Sequence, residues 1–233
     1  MRVEIYSDVA CPWCYVGKRR FERALAAFPP AGEVEVVFRP YQLDPAAPAR
    51  AVPLNEALAK KFGPQAAAMG GRVVETARGE GIEMDFDRAL SANTFDAHRL
   101  MRLAEHEYGP AVQRAVADAL FAAYFAQGAD VSNADALVQI AEAAGMDAER
   151  ARAYLASGEG ADEVRDEIEQ AQRLGITAVP TFVFGGKYAV QGAQPTSVFL
   201  QALETVAREE GEAEAAAATA AGGGACADGA CEV

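Results

Sequence analysis

Strand-like sequence occurs only at the two ends of this chain, and roughly 120 residues of helical period separate them. Neither end carries enough strands to form a stable sheet alone, so the two ends must share one sheet, with the helical block inserted into it. At the N-terminal end Val3 to Ser7 alternates as a strand does, and Pro12 stands where a first-turn proline is tolerated. Tyr15, Val16, Phe21, Leu25 and Phe28 follow at helical spacing. Pro29, Pro30 and Gly32 then stop the helix, and EVEVVFRPY alternates again, completing a β-α-β unit.

From Asp44 to Pro53 the chain is rich in Pro and Ala, and helical spacing takes over after it. Asn93 with Asp96, and Ser132 with Asp135, have the pattern of an N-cap with an acid three residues on, and Asp147 is placed to cap a third, short helix. The run GADEVRDEIEQAQRLG ends at Gly175, a left-handed C-cap, and TAVPTFVFGGKYAVQG predicts two strands around a Gly185-Gly186 turn. Pro195 predicts the start of a last helix, with Val198, Leu200, Leu203 and Val206 as its apolar positions. The division expected is a discontinuous sheet domain over 1–48 and 165–208, a helical insertion over 49–164, and a flexible acidic tail over 209–233. That tail has too little bulky apolar content for a core, although its Ala-rich part suits a helix.

With 34 acidic residues against 21 Lys and Arg, the net charge of −13 disfavours nucleic acid and anionic membrane surfaces as partners. The apolar runs fall far short of the ~20 residues that span a bilayer. Met1 runs directly into the first strand without the basic start, apolar middle and cleavage site of a secretory signal, which predicts a cytoplasmic protein. In a reducing compartment, closely spaced cysteines are more often catalytic or metal-binding than structural.

Between the first strand and its helix lies CPWC, Cys11-Pro12-Trp13-Cys14. Placed at the helix N-cap, Cys11 meets unpaired backbone N–H groups and the positive end of the helix dipole, and both favour thiolate over thiol. Cys14 lies about one turn further on, so the two sulfurs can reach disulfide distance with little backbone movement. The spacing suits dithiol chemistry: attack on a substrate disulfide leaves a mixed disulfide, which a neighbouring thiol must resolve. Cys11 is then expected as an exposed attacker and Cys14 as a buried resolver. A zinc site and a pair of inert buried thiols are the alternatives. The only candidates to complete a zinc site are two His in a helical segment and two Cys in a remote tail, none at finger-like spacing, so no metal is expected.

SDVACPWCYVGKRRFERAL, NTFDAHRL and GITAVPTFVFGGKYAVQGAQP together resemble the DsbA-like branch of the thioredoxin superfamily, in particular the cytoplasmic FrnE-type oxidoreductases, over about residues 1 to 208. The resemblance implies an α/β thioredoxin-like fold with an inserted α-helical domain. It also implies thiol:disulfide exchange with protein or small-molecule disulfides through a redox-active Cys11–Cys14 disulfide. No cofactor is required, and glutathione is a candidate reductant. Pro12 and Trp13 would border the substrate site, and a cis peptide before Pro180 would face Cys11, with the Val179 backbone offered to an extended substrate. Related isomerases and kappa-class glutathione transferases carry serine at the first active-site position and bind glutathione there; Cys11 departs from that pattern. A peptide-binding, chaperone-like role is a further alternative.

Two features stand outside this scheme. The resemblance places NTFDAHRL near the cleft above the active site, where His98 would supply a proton or position substrate. On the plainer reading Asn93 caps a helix, and His98 shares a solvated face with Arg102, Glu105 and His106. In the tail, Cys226 and Cys231 flank an Asp-Gly turn signal in CADGAC. A flexible chain of about 17 residues would span ~23 Å r.m.s. and ~55 Å extended, enough to reach Cys11. The tail pair is then an electron relay or latch for the active site, a soft-metal site, or an inert end.

Overall fold

The computed structural model describes residues 1–48 and 50–222. Its main sheet has four strands in the order β2-β1-β5-β6. β1 (Arg2–Ser7) pairs in parallel with β2 (Glu35–Pro40), and the crossover between them is α1 (Pro12–Ala27). The other neighbour of β1 is β5 (Thr181–Phe184), antiparallel and more than 170 residues away in sequence. Ile5 stands opposite Phe38 on one side and Phe182 on the other. β6 (Tyr188–Gln191) completes the sheet as a hairpin with β5, turning through Gly185 (φ 55°) and Gly186 (φ 68°) as their dipeptide predicts. The two ends of the chain thus build one sheet.

The insertion contains a two-stranded ribbon, β3 (Val52–Pro53) with β4 (Leu90–Ser91), and seven helices. These are α2 (Leu54–Phe62), α3 (Ala66–Gly79), α4 (Phe95–Leu103), α5 (Pro110–Ala122), α6 (Ala134–Ala143), α7 (Ala148–Ala156) and α8 (Ala161–Arg173). A single π-helical turn extends α4 over Ala104–Tyr108 and another extends α5 over Ala123–Gln127. The last helix, α9, covers Thr196–Gly222.

Apolar packing joins sheet and helices on both faces. α1 packs against α9, and Phe21, Phe182 and Phe199 meet between them and the sheet with ring centroids 4.5–5.9 Å apart. On the other side α5 and α8 pack against β2. β2 is an edge strand, and its free edge is covered by the side chain of Gln113 on α5. The Phe38 N–H donates to Gln113 Oε1 (2.8 Å) while Gln113 Nε2 donates to the Phe38 carbonyl (3.0 Å), the two bonds another strand would supply.

The local signals are modified at several helix ends. Asp147 caps α7, its Oδ1 accepting the Arg150 N–H, and Gly175 (φ 78°) closes α8. Asn133, not Ser132, caps α6: its Oδ1 accepts the N–H groups of Asp135 and Ala136, whereas the Ser132 hydroxyl donates to Asp130. Asn93 and Asp96 do not form a capping pair, since α4 starts at Phe95 after Thr94 and Asp96 pairs with Arg99. α9 continues through the Ala- and Glu-rich stretch after 209 to Gly222, the part of the tail whose composition suits a helix. Cys226 and Cys231 lie outside the described residues.

Candidate active site

The end of β1, the start of α1 and the entry to β5 converge on the CPWC segment. Cys11 is the N-cap of α1 (φ −95°, ψ 109°), and its carbonyl accepts the Cys14 N–H at 3.0 Å and the Tyr15 N–H at 3.4 Å. Pro12 occupies the first helical position, where its missing N–H costs nothing. No side chain caps this helix and no acid sits in its first turn, which leaves the positive helix end to the two sulfurs. Both cysteines are free thiols and lie within hydrogen-bonding reach of one another.

Their exposure differs from expectation in one respect. Cys14 is buried, at 1 % exposure, but Cys11 is buried too, at 4 %. The chain entering β5 stands against it: the Val179–Pro180 peptide is cis, and Cys11 Sγ lies 3.8 Å from the Val179 carbonyl oxygen. Pro180 is buried and Val179 half-buried, Pro12 is half-buried, and Trp13 turns outward with 40 % of its surface exposed. Burial drives the Cys14 thiol well above the ordinary thiol range, and the neighbouring Cys11 sulfur adds to this. Hydrogen bonds from the Asp8 backbone and the Ser7 side chain act in the opposite sense and do not prevail.

Three residues that motif reading passed over build this site. Asp8 is buried at 1 % exposure. Its Oδ1 accepts the Ala10 N–H (3.2 Å), its Oδ2 the Leu43 N–H (2.7 Å), and its carbonyl the Cys11 N–H (3.0 Å), so it ties the turn before α1 to the segment after β2. Gly17 lets α1 approach β5, since a Cβ there would meet Pro180 Cγ at 2.9 Å. Lys18 is buried between Glu22 and Asp118, an ion pair joining α1 to α5. Asp8 had a signal in the sequence, an acid three residues before the first cysteine. Gly17 had none, because Pro180 is remote in sequence, and the i,i+4 spacing of Lys18 and Glu22 did not disclose the distant Asp118 that completes the buried ion pair.

The residues of NTFDAHRL separate by role. Asn93 pins the 42–48 segment to the start of α4. Its Oδ1 accepts from Gln42 Nε2 and the Phe95 N–H, and its Nδ2 donates to the carbonyls of Pro45 and Ala47. His98 does not sit on a solvated face: it is 3 % exposed, with Nε2 3.6 Å from Asp8 Oδ1. The helical domain therefore touches the turn before Cys11 directly. Arg99 is also buried and donates to the carbonyls of Tyr154, Leu155, Ser157 and Glu159, which fastens α4 to the end of α7. Among the described residues, no three His, Cys, Asp or Glu side chains are grouped so as to hold a metal ion.

A family model for the DSBA-like thioredoxin domain matches residues 2–204. The chain belongs to that family. Its fold is accordingly the thioredoxin-like α/β fold of DsbA with a helical insertion between strands. A probable DsbA oxidoreductase from Streptomyces coelicolor superposes with a TM-score of 0.83 at 44 % identity, over 90 % of this chain and 91 % of that one. The uncharacterized protein YwbO of Bacillus subtilis (strain 168) is 28 % identical over 210 residues, 87 % of this chain and 96 % of its own length. A 2-hydroxychromene-2-carboxylate isomerase shares the fold at 15 % identity, with a TM-score of 0.65 over 91 % of this chain and 98 % of that one. The DSBA-like family thus accounts for both ends of the chain and for the insertion between them.

Proposed function

We propose that this DSBA-like protein is a cytoplasmic, FrnE-type thiol:disulfide oxidoreductase whose Cys11–Cys14 pair exchanges two electrons with protein or small-molecule disulfides. The observation that carries the proposal is the placement of Cys11 at the uncapped N-terminus of α1, with Cys14 one turn behind it and the Val179 carbonyl against its sulfur. The helix end stabilises negative charge on the attacking sulfur. Cys14, held protonated by burial, stays out of the first step and resolves the mixed disulfide in the second.

In this reading the Cys11 thiolate attacks a substrate disulfide, one substrate sulfur leaves as thiolate and takes up the Cys14 proton, and Cys14 then displaces the other substrate sulfur as the Cys11–Cys14 bond forms. Trp13 and the half-buried Val179 border the approach, and Asn93 fixes the segment that carries the exposed Leu43 beside it. No prosthetic group takes part, glutathione is a candidate reductant, and neither nucleic acid nor membrane is a partner. The cysteine at position 11 favours dithiol exchange over the glutathione-dependent isomerase chemistry of relatives with serine there.

The test is insulin-disulfide reduction with wild type, Cys11→Ser and Cys14→Ser. Activity in wild type, loss in both variants, and a trapped mixed disulfide in Cys14→Ser alone are expected. A wild type that protects clients from aggregation but never exchanges disulfides would sink the enzyme reading in favour of a chaperone-like role.

A further inference from the structure

The Asp8 carboxylate holds the redox turn through two backbone N–H groups, and its remaining neighbour comes from the helical domain. His98 Nε2 faces Asp8 Oδ1 at 3.6 Å, with both side chains 2 % exposed, and that ring nitrogen has no hydrogen-bond partner among the described residues. A buried nitrogen left unpaired while aimed at a carboxylate calls for a reason. The ring also lines a cavity of about 10 Å³, close to the room one water needs, together with Arg102, Glu105, Gln113 and Glu167. Arg102, Glu105 and Glu167 line the open charged groove beyond it as well. His98 therefore stands between the turn that carries Cys11 and a polar route to solvent.

We propose that His98 is a positioning residue for the Cys11–Cys14 pair, acting through Asp8, and that it takes up a proton when the pair is reduced. The inference rests on the redox reading of that pair. When a cellular dithiol reduces the Cys11–Cys14 disulfide, the S–S bond breaks, the reductant becomes a disulfide, and two electrons and two protons arrive. One proton makes the Cys14 thiol. Cys11 remains as thiolate, and the second proton goes to His98, so the negative charge added to a buried turn is balanced within it. Protonation also gives Asp8 Oδ1 a charged partner and tightens its hold on the turn.

The surrounding charges leave this role to His98. Arg102 is paired with Glu167, and Glu105 with Arg39, so the groove-side charges are already balanced. Arg99, next in sequence, is committed to the α7 carbonyls and to Asp96. Tyr124, near Asp8, stays neutral because burial and the Asp8 charge push its ionisation far up.

The chain has two histidines, so proton NMR of the full-length protein reads both. On passing from the oxidised to the reduced state, His98 should bind its proton at least ten-fold more tightly, while the exposed His106 does not change. Cys14→Ser should abolish the redox dependence. The reduction potential of the pair, followed through the single Trp13, should fall more steeply with pH by one proton between the two His98 midpoints. That is about 30 mV per pH unit for a two-electron couple. His98→Gln should remove this extra slope. A reversible Cys11–Cys14 couple with a redox-blind His98, or a His98→Gln profile identical to wild type, overturns this inference and leaves the proposed function standing. Failure of wild type to form the disulfide overturns both.

Discussion

Replacing Gly17 by alanine sets two opposing effects on one added carbon. Gly17 lies inside α1, where alanine is favoured over glycine by about 1 kcal/mol. Its new Cβ, however, would sit 2.9 Å from Pro180 Cγ, with Ala193 Cα and Phe182 Cζ each at 3.4 Å. A proline ring and a backbone carbon cannot swing aside as a flexible side chain would, so α1 and the β5 entry must part by some tenths of an ångström. Overpacking of this kind costs about 1–3 kcal/mol. The net effect is a loss of ~0–2 kcal/mol, and it falls between the cysteines and the Val179-Pro180 segment. Gly71, inside α3 with nothing within 4 Å of its Cβ position, provides the control, and Gly71→Ala should gain about 0.5–1 kcal/mol. The two variants should therefore differ by about 1–3 kcal/mol in urea unfolding, or ~2–12 °C in Tm for a chain of this size. Gly17→Ala should also slow insulin reduction, whereas Gly71→Ala should not. Equal stabilisation by both, with unchanged turnover, would refute the claim that Gly17 sets the spacing of α1 and β5.

Other perturbations test separate parts of the structure. Gln113→Leu strands the Phe38 N–H and carbonyl, so a loss of about 2–6 kcal/mol and faster exchange of the Phe38 amide are expected. An unaltered exchange rate would show that the edge of β2 does not need Gln113. Arg99→Met removes the donor from the buried Tyr154 and Leu155 carbonyls and should likewise cost about 2–6 kcal/mol, with α7 amides losing protection first. The raised Cys14 ionisation has a pH consequence. The folded state keeps this proton while the unfolded thiol loses it near pH ~8.5, so the associated stability is complete below that pH and declines above it. Wild type should lose stability above pH ~8.5 more steeply than Cys14→Ser, and iodoacetamide at that pH should modify Cys11 before Cys14. Parallel pH curves or equal alkylation would contradict the assignment.

The sequence by itself determined what rests on neighbours a few residues apart. CPWC between an alternating run and a helical one placed Cys11 at an N-cap and Cys14 a turn beyond, since a helix brings i and i+3 together whatever surrounds it. The Gly185-Gly186 hairpin, the Asp147 cap and the Gly175 helix end were legible for the same reason. The N-caps at Asn93 and Ser132 were misread, although the pattern was present. Asn93 sits one position before the cap, accepting the Phe95 N–H while its amide reaches across to the 42–48 segment, and the Ser132 hydroxyl turns back to Asp130. Tertiary structure alone decided that Cys11 is buried rather than exposed, that His98 faces Asp8, that Gln113 covers β2, and that Gly17 admits Pro180. Each of these joins residues 75 to 170 positions apart, and no local periodicity records which distant side chain will fill a given space. The placement of the thiol pair was therefore readable along the chain, whereas the surroundings that shield it arise only where the helical insertion closes on the sheet.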